Sequence, residues 1–183
     1  MEFGDRLDEV LRFWFEELTP KQWWVQDSGL DQKIEERFGT LHAAARSGEL
    51  KPFRNSALKR LSEVIVLDQF SRNIYRNTKE AFSCDPLALE LAKEAVSLGM
   101  DQKLPPHQRA FIYMPYMHSE DLKTHDEAVE LFELLGSEQS LKFEHAHRDI
   151  IVRFGRYPHR NEVLGRESTE EELEFLKTPG SSF

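Results

Sequence analysis

The sequence predicts an all-α protein, and three observations carry that prediction. Apolar residues recur at three- and four-residue spacing along nearly the whole chain. The breaks between these runs carry helix caps and helix terminators. No strand-like alternation of useful length appears, and no hairpin dipeptide separates two such runs. The expected architecture is a single domain, 1–183, of stacked antiparallel hairpins built from about seven or eight helices.

Leu7, Val10, Leu11, Trp14, Phe15 and Leu18 form the stripe of a first amphipathic helix, ended by Thr19-Pro20. Trp23 and Trp24 follow in a connector and are expected to fold back as an apolar lid. A second helix runs from near Gly29 to Arg46, with Leu30, Ile34, Phe38, Leu41 and Ala45 inward and Ser47-Gly48 at its exit. Asn55 or Ser56 caps a third that reaches about Asn73. Asp85-Pro86 opens a fourth, whose stripe of Leu87, Leu91, Ala95 and Leu98 stops at Gly99. Pro105-Pro106 starts another, which Pro115 is expected to kink or end. Ser119 or Asp121 begins the next, through Leu122, Val129, Phe132 and Leu135 to Gly136, and Ser137 begins a long one to about Phe154. Ser168 with Glu171 reads as a capping box for a short terminal helix anchored by Leu173 and Leu176; beyond it, Phe183 could dock.

Thirteen Phe, four Tyr and three Trp in 183 residues supply a real core and exclude wholesale disorder. A formal charge of −9 argues against general coating of nucleic acid. One cysteine, Cys84, excludes an intrachain disulfide and a four-cysteine zinc site. The start MEFGDRLDEV is acidic where a secretory signal is basic, and no apolar run approaches the roughly 20 residues that cross a bilayer. The expected location is cytoplasmic, with no membrane association.

Three places break the apolar pattern. In LSEVIVLDQFSRNIY, Asp68 continues the Leu61, Val64, Ile65 face, and Arg72 follows it by one helical turn. Charges on a core stripe are costly unless paired. Two readings follow: a buried Asp68–Arg72 bridge that sets helix register, or Arg72 with Arg76 directed into an anion pocket. In MPYMHSED, Pro115 loosens the helix before His118, so His118, Ser119 and Glu120 lie at a helix junction, where unsatisfied backbone N–H groups suit an oxyanion. His118 is a candidate general base or ligand there, or else bonds a backbone carbonyl while its neighbours cap the next helix.

The third place is residues 145–166, which hold five arginines, three histidines, no lysine and two acids. This island carries +3 while the rest of the chain carries −12. Arginine without lysine favours bidentate recognition of carboxylate or phosphate. His147 shares a face with Ile150, Ile151 and Phe154 and is expected to point inward; Asp149 and Arg153 are spaced to pair. Gly155 breaks the helix, and Arg156, Tyr157, Pro158, His159, Arg160 and Asn161 form a polar turn that presents donors to a ligand or caps neighbouring helix ends. His42 and His125 are expected to be exposed, and Glu170 to Glu172 to be a solvated face. No Walker loop, dinucleotide glycine fingerprint, nucleophile elbow or HExxH motif occurs.

LDQFSRNIYR (67–76), FIYMPYMHSEDL (111–122) and RFGRYPHRNEVLGRESTEEE (153–172) resemble a bacterial family known as domain of unknown function 924, over nearly the whole chain. The resemblance implies a fold similar to tetratricopeptide repeats, with a concave groove, and brings no activity with it. Its motif positions here are Asp68, Gln69, Arg72, Asn73, His118, Glu120, Arg153, Arg156, His159, Arg160 and Asn161. Ser71 stands where relatives usually place proline, and LKPF at 50–53 where a tryptophan is more usual.

The leading functional reading is a site for a small anionic ligand, carboxylated or phosphorylated, lined by Arg72, Arg156, Arg160 and His159, with Asn73, Arg153 and Asn161 as further binding residues. If the site is catalytic, His118 or His159 acts as acid–base and Asp68 or Glu120 orients it. A different class is an adaptor whose groove clamps an acidic peptide. Metal-assisted chemistry on His118, Glu120 and His147 ranks below both, because neighbouring arginines oppose a cation. Recognition of RNA through the island and Tyr157 ranks lower still. Cofactor and oligomeric state are not specified by the sequence.

Overall fold

A computed structural model describes residues 3–183, and among these every regular element is helical. Eight α-helices have seven residues or more: α1 Phe3–Arg12, α2 Ser28–Ser47, α3 Ala57–Ile65, α5 Asp85–Ser97, α6 Pro106–Met117, α7 Leu122–Leu135, α8 Glu138–Phe154 and α10 Glu170–Leu176. Two segments of four residues, α4 Ser71–Ile74 and α9 Asn161–Leu164, complete the set. No helix among the described residues is long and apolar enough to cross a membrane. The chain divides into two compact units, Met1–Arg76 with Glu80–Pro115, and Asn77–Lys79 with Tyr116–Phe183.

Local chemistry explains most helix ends. Asp27 caps α2 by accepting the Gly29 and Leu30 N–H groups, and Gly48 closes it at φ +82°, which an L side chain resists. Ser56 caps α3, Asp121 caps α7 and Ser137 caps α8. The terminal capping box is Thr169 with Glu172, one residue later than the spacing of Ser168 and Glu171 suggested. That shift turns α10, so Glu172 is buried while Leu173 is exposed and Phe175 half-buried. Pro115 does not end α6 at once: the helix continues two residues to Met117.

In the first unit, α1 packs on α3, α3 on α5, and α2 on the segment running from Val66 through α4. Its centre is aromatic. Phe38 lies 5.1 Å from Phe13 and 5.0 Å from Phe70, and Trp14 lies 5.6 Å from Phe70 and 5.8 Å from Phe111. Trp23 donates its indole N–H to the Trp14 carbonyl at 2.8 Å, so the connector does fold back. Trp24 stays largely exposed, stacked on Phe111 at 6.2 Å.

Two single π-helical turns interrupt this unit, Phe13–Glu17 after α1 and Val66–Phe70 between α3 and α4. A π turn adds a residue to the helical repeat and re-aims the side chains that follow. The second one contains Asp68 and Gln69. Ser71, directly after it, donates to the Leu67 carbonyl at 2.5 Å and meets His42 Nε2 at 2.8 Å. A proline here would lack that hydroxyl.

In the second unit, α7 and α8 form a tight hairpin through Gly136-Ser137, and α10 and α9 pack on the turn Pro158–Arg160. Ile150, Ile151 and Tyr157 are buried together, with Phe154 and Phe175 against them. Two polar side chains lie inside this unit where exposure was expected of the first: His125 and Glu144 are both wholly buried. His42, in the first unit, is likewise buried rather than exposed. All three sit on helix faces that also carry core residues, so the stripe buries them.

Candidate functional site

In the first unit the π turn places Asp68 inside, 1% exposed, with Gln69 Nε2 donating to its Oδ2 at 2.7 Å. Arg72 donates to the Asp68 carbonyl at 2.8 Å and approaches its Oδ1 at 3.3 Å. The same guanidinium forks onto Asp85, at 2.8 and 3.0 Å, and lies 5.5 Å from the Phe82 ring. One turn on, Arg76 forks onto Asp31 at 2.6 and 2.7 Å, and Asn73 donates to the same carboxylate at 2.8 Å. Asp31 raises the proton affinity of Arg76, against the opposing effect of burial. The bridge reading of Asp68 and Arg72 is thus the arrangement present, extended by Asp85. Nothing about 67–76 signalled either acid, since Asp31 and Asp85 lie far off in sequence and look like helix-start residues.

In the second unit the turn after Gly155 is held by carboxylates. Arg156 forks onto Glu172, at 2.7 and 2.8 Å, and donates to the Glu167 carbonyl at 2.8 Å. Asn161 donates to Ser168 Oγ and to Glu172. The Arg156 bond, with the Thr169 N–H and Asn161, outweighs burial and holds the Glu172 carboxyl at about 2. Arg153 pairs with Glu171 at 2.8 Å on the surface, where Asp149 was the expected partner. Glu120 accepts the Tyr157 backbone N–H at 2.8 Å and the Arg166 fork at 2.7 and 2.9 Å. Burial pushes Glu120 up, but Arg166 and the Tyr157 N–H prevail and hold it below the ordinary carboxylate value.

Around Tyr157 the histidines converge. Tyr157 is fully buried and donates its hydroxyl to the Met117 carbonyl at 2.6 Å. Arg160 donates to the His118 carbonyl at 3.0 Å and lies 4.8 Å from the Tyr157 ring centre. His125 meets Glu144 through Nδ1 at 2.6 Å and the Ser119 carbonyl through Nε2 at 2.8 Å. His147 Nδ1 donates to the Phe143 carbonyl at 2.7 Å. Burial lowers the His147 pKa to about 3; that hydrogen bond opposes the shift, while nearby His118, His125 and His159 add to it.

The description "Bacterial protein of unknown function (DUF924)" belongs to the family that residues 10–180 match. The chain belongs to that family. Among solved structures it is similar to a protein of unknown function from Agrobacterium tumefaciens, at 36% identity and a TM-score of 0.92, covering 96% of this chain and 99% of the other. Comparison with curated proteins gives no match.

Within this DUF924 chain, then, the candidate residues fall into two groups by unit. Asp68, Arg72 and Asn73 belong to the acid–arginine network of the first. His118, Glu120, Arg153, Arg156, His159, Arg160 and Asn161 belong to the second, where Arg156, Asn161 and Glu120 hold the turn and Arg153 lies outside it. No group of three or more His, Cys, Asp or Glu side chains among the described residues is placed to hold a metal ion. His118, Glu120 and His147 therefore do not assemble the ligand set that metal-assisted chemistry would need. The sequence reading missed His125, Glu144 and Arg166. For the first two a signal existed: His125 falls in step with Ala128 and Phe132, and Glu144 with His147 and Ile151, so each occupies a core stripe.

Proposed function

We propose that this protein binds a small anionic molecule, carboxylated or phosphorylated, at the histidine-rich end of the second unit, with His118, His159 and Arg160 as its ligand-facing groups. The observation that carries this reading is the gathering of the His147 and His159 rings around Tyr157, at 5.8 and 5.6 Å, with the Arg160 guanidinium 4.8 Å from the same ring. Imidazole groups clustered beside a guanidinium favour an anion there. Arg156, Arg166 and Glu120 act as positioning residues that fix the turn carrying His159 and Arg160. If the ligand is transformed, His118 and His159 are the candidate acid–base groups.

An adaptor reading has one observation in its favour. A groove of about 200 Å³ on α8 and α10 has Phe154 and Phe175 among its walls and Arg153 over both rings, at 4.7 and 5.6 Å. In that reading the hairpins serve as a tetratricopeptide-like scaffold for an acidic peptide.

Titration with inorganic phosphate, acetate and succinate, followed by NMR of the histidine ring protons, tests the proposal. Shifts of His118 and His159 that saturate, and that disappear in His159→Ala while the melting temperature is kept, are the expected result. Shifts that instead follow Arg153 and vanish in Arg153→Ala would replace this site with the adaptor groove.

A further inference from the structure

Beside the proposed anion site the second unit builds a seat for an aromatic ring. His147 and Tyr157 stand nearly perpendicular at 5.8 Å, and His159 closes the third side, 5.6 Å from Tyr157. The ring of Phe183 occupies this seat. It lies flat on His147, centroid to centroid 3.6 Å at 24°, and meets Tyr157 and His159 edge to face at 6.3 and 5.9 Å. Seat and occupant differ in exposure: Tyr157 is 0% and His147 5% exposed, whereas Phe183 is 54% exposed. His147 and Tyr157 are tied to the Phe143 and Met117 carbonyls, while the occupant is about half exposed at the surface.

Its approach is shaped. Gly180 adopts φ +78°, and Ser181, buried, donates to the Leu176 carbonyl at 3.1 Å, so the segment after α10 is turned back over α8. Aromatic cages also hold cations, but Arg160 already lies on Tyr157 and adds positive charge beside the seat. An aromatic ring that carries a negative group satisfies both features.

We propose that the ligand is an aryl-bearing anion, its ring taking the place of Phe183 on His147, Tyr157 and His159 and its charged group facing His118 and Arg160. This rests on the anion reading given above and narrows it to aromatic acids and aryl phosphates. Phe183 then acts as an internal competitor that covers the seat until the ligand displaces it. His147 suits the role because its imidazole stays neutral and its Nδ1–H bond to Phe143 fixes the ring plane.

The test compares full-length wild type with Phe183→Ala and Phe183→Leu, titrated by calorimetry and NMR with phenylacetate, phenyl phosphate, acetate, inorganic phosphate and benzyl alcohol. Removing the competing ring is expected to tighten phenylacetate or phenyl phosphate by about ten-fold, the scale of one lost aromatic contact, with acetate and phosphate unchanged. The stronger of the two aryl probes tells carboxylate from phosphate. If acetate and phosphate bind but neither aryl anion gains in the Phe183 variants, the ring seat is overturned and the anion site stands. If benzyl alcohol binds the variants as tightly as phenylacetate, the charge plays no part and the anion reading itself is overturned.

Discussion

His125 and Glu144 share a proton inside the second unit. Nδ1 and Oε1 are 2.6 Å apart and neither side chain is exposed. Nε2 faces the Ser119 carbonyl at 2.8 Å, an atom that can only accept, so Nε2 carries a hydrogen. The Tyr157 hydroxyl donates to Met117 and therefore turns a lone pair toward the same Nε2, at 3.2 Å. One proton is left between Nδ1 and the carboxylate. Whether it sits as imidazolium–carboxylate or as neutral imidazole with carboxylic acid, the pair is neutral overall, which is how a core tolerates it. Burial raises the Glu144 pKa and His125 opposes that shift.

Breaking this pair should be severe. His125→Leu leaves Glu144 buried without its proton partner, and its Oε2 already lacks a hydrogen bond. The expected loss is about 3–5 kcal/mol, read from urea unfolding at pH 7. Glu144→Gln keeps a neutral hydrogen-bonding side chain and should cost about 1 kcal/mol. Equal losses in the two variants would mean that packing, and not the shared proton, decides.

Acid should weaken the protein well above the carboxylate range. Burial lowers His42 to about 4, aided by Arg46, and His147 to about 3, against 6.5 for an unperturbed histidine. Below pH 6.5 the unfolded chain takes up protons at both sites that the folded chain refuses. Their contribution is therefore complete above pH 6.5 and is lost as pH falls toward 4 and 3. The slope is about 1.4 kcal/mol per pH unit for each histidine. Urea unfolding at pH 7.5, 6 and 5 should show it, and His147→Gln should remove about half. A stability that is flat from pH 7.5 to 5 contradicts this account.

The cap of α10 should fail at a lower pH. Glu172 is held at about 2, first by Arg156, so its folded pKa lies below the ordinary 4.5. Its contribution is present above pH 4.5 and disappears as pH falls toward 2. Amide exchange over 169–176 should accelerate across that window, and Glu172→Gln should bring the faster exchange to neutral pH. Arg156→Lys, which lacks the fork, should fall between wild type and Glu172→Gln.

Arg72→Leu should destabilise the first unit by about 3–5 kcal/mol, since it leaves Asp68 charged and inside. Asp68→Asn in the Arg72→Leu background should recover a large part of that loss, because a buried amide carries no charge. Chemical denaturation of the two single variants and the double variant measures the coupling. Additive effects would show that Arg72 acts through Asp85 instead.

The sequence by itself determined the helices, most of their caps and the broad division into core stripe and solvent face. These follow from the repeat of a helix and from side chains that bond within three or four residues. It also located polar residues that break the apolar pattern, such as Asp68, His118 and the 153–161 turn, because a polar residue in an apolar stripe is visible one helix at a time. Partners were a different matter. Asp85 for Arg72, Asp31 for Arg76, Glu172 for Arg156 and Glu144 for His125 are 13, 45, 16 and 19 residues away. The π turn at Val66–Phe70 was equally hidden, since it changes the helical repeat without changing the residue pattern. Tertiary structure alone decided which arginines are taken by carboxylates, and that Phe183 closes on His147. Each of these depends on how separate helices pack, and periodicity along one helix carries no record of its neighbour.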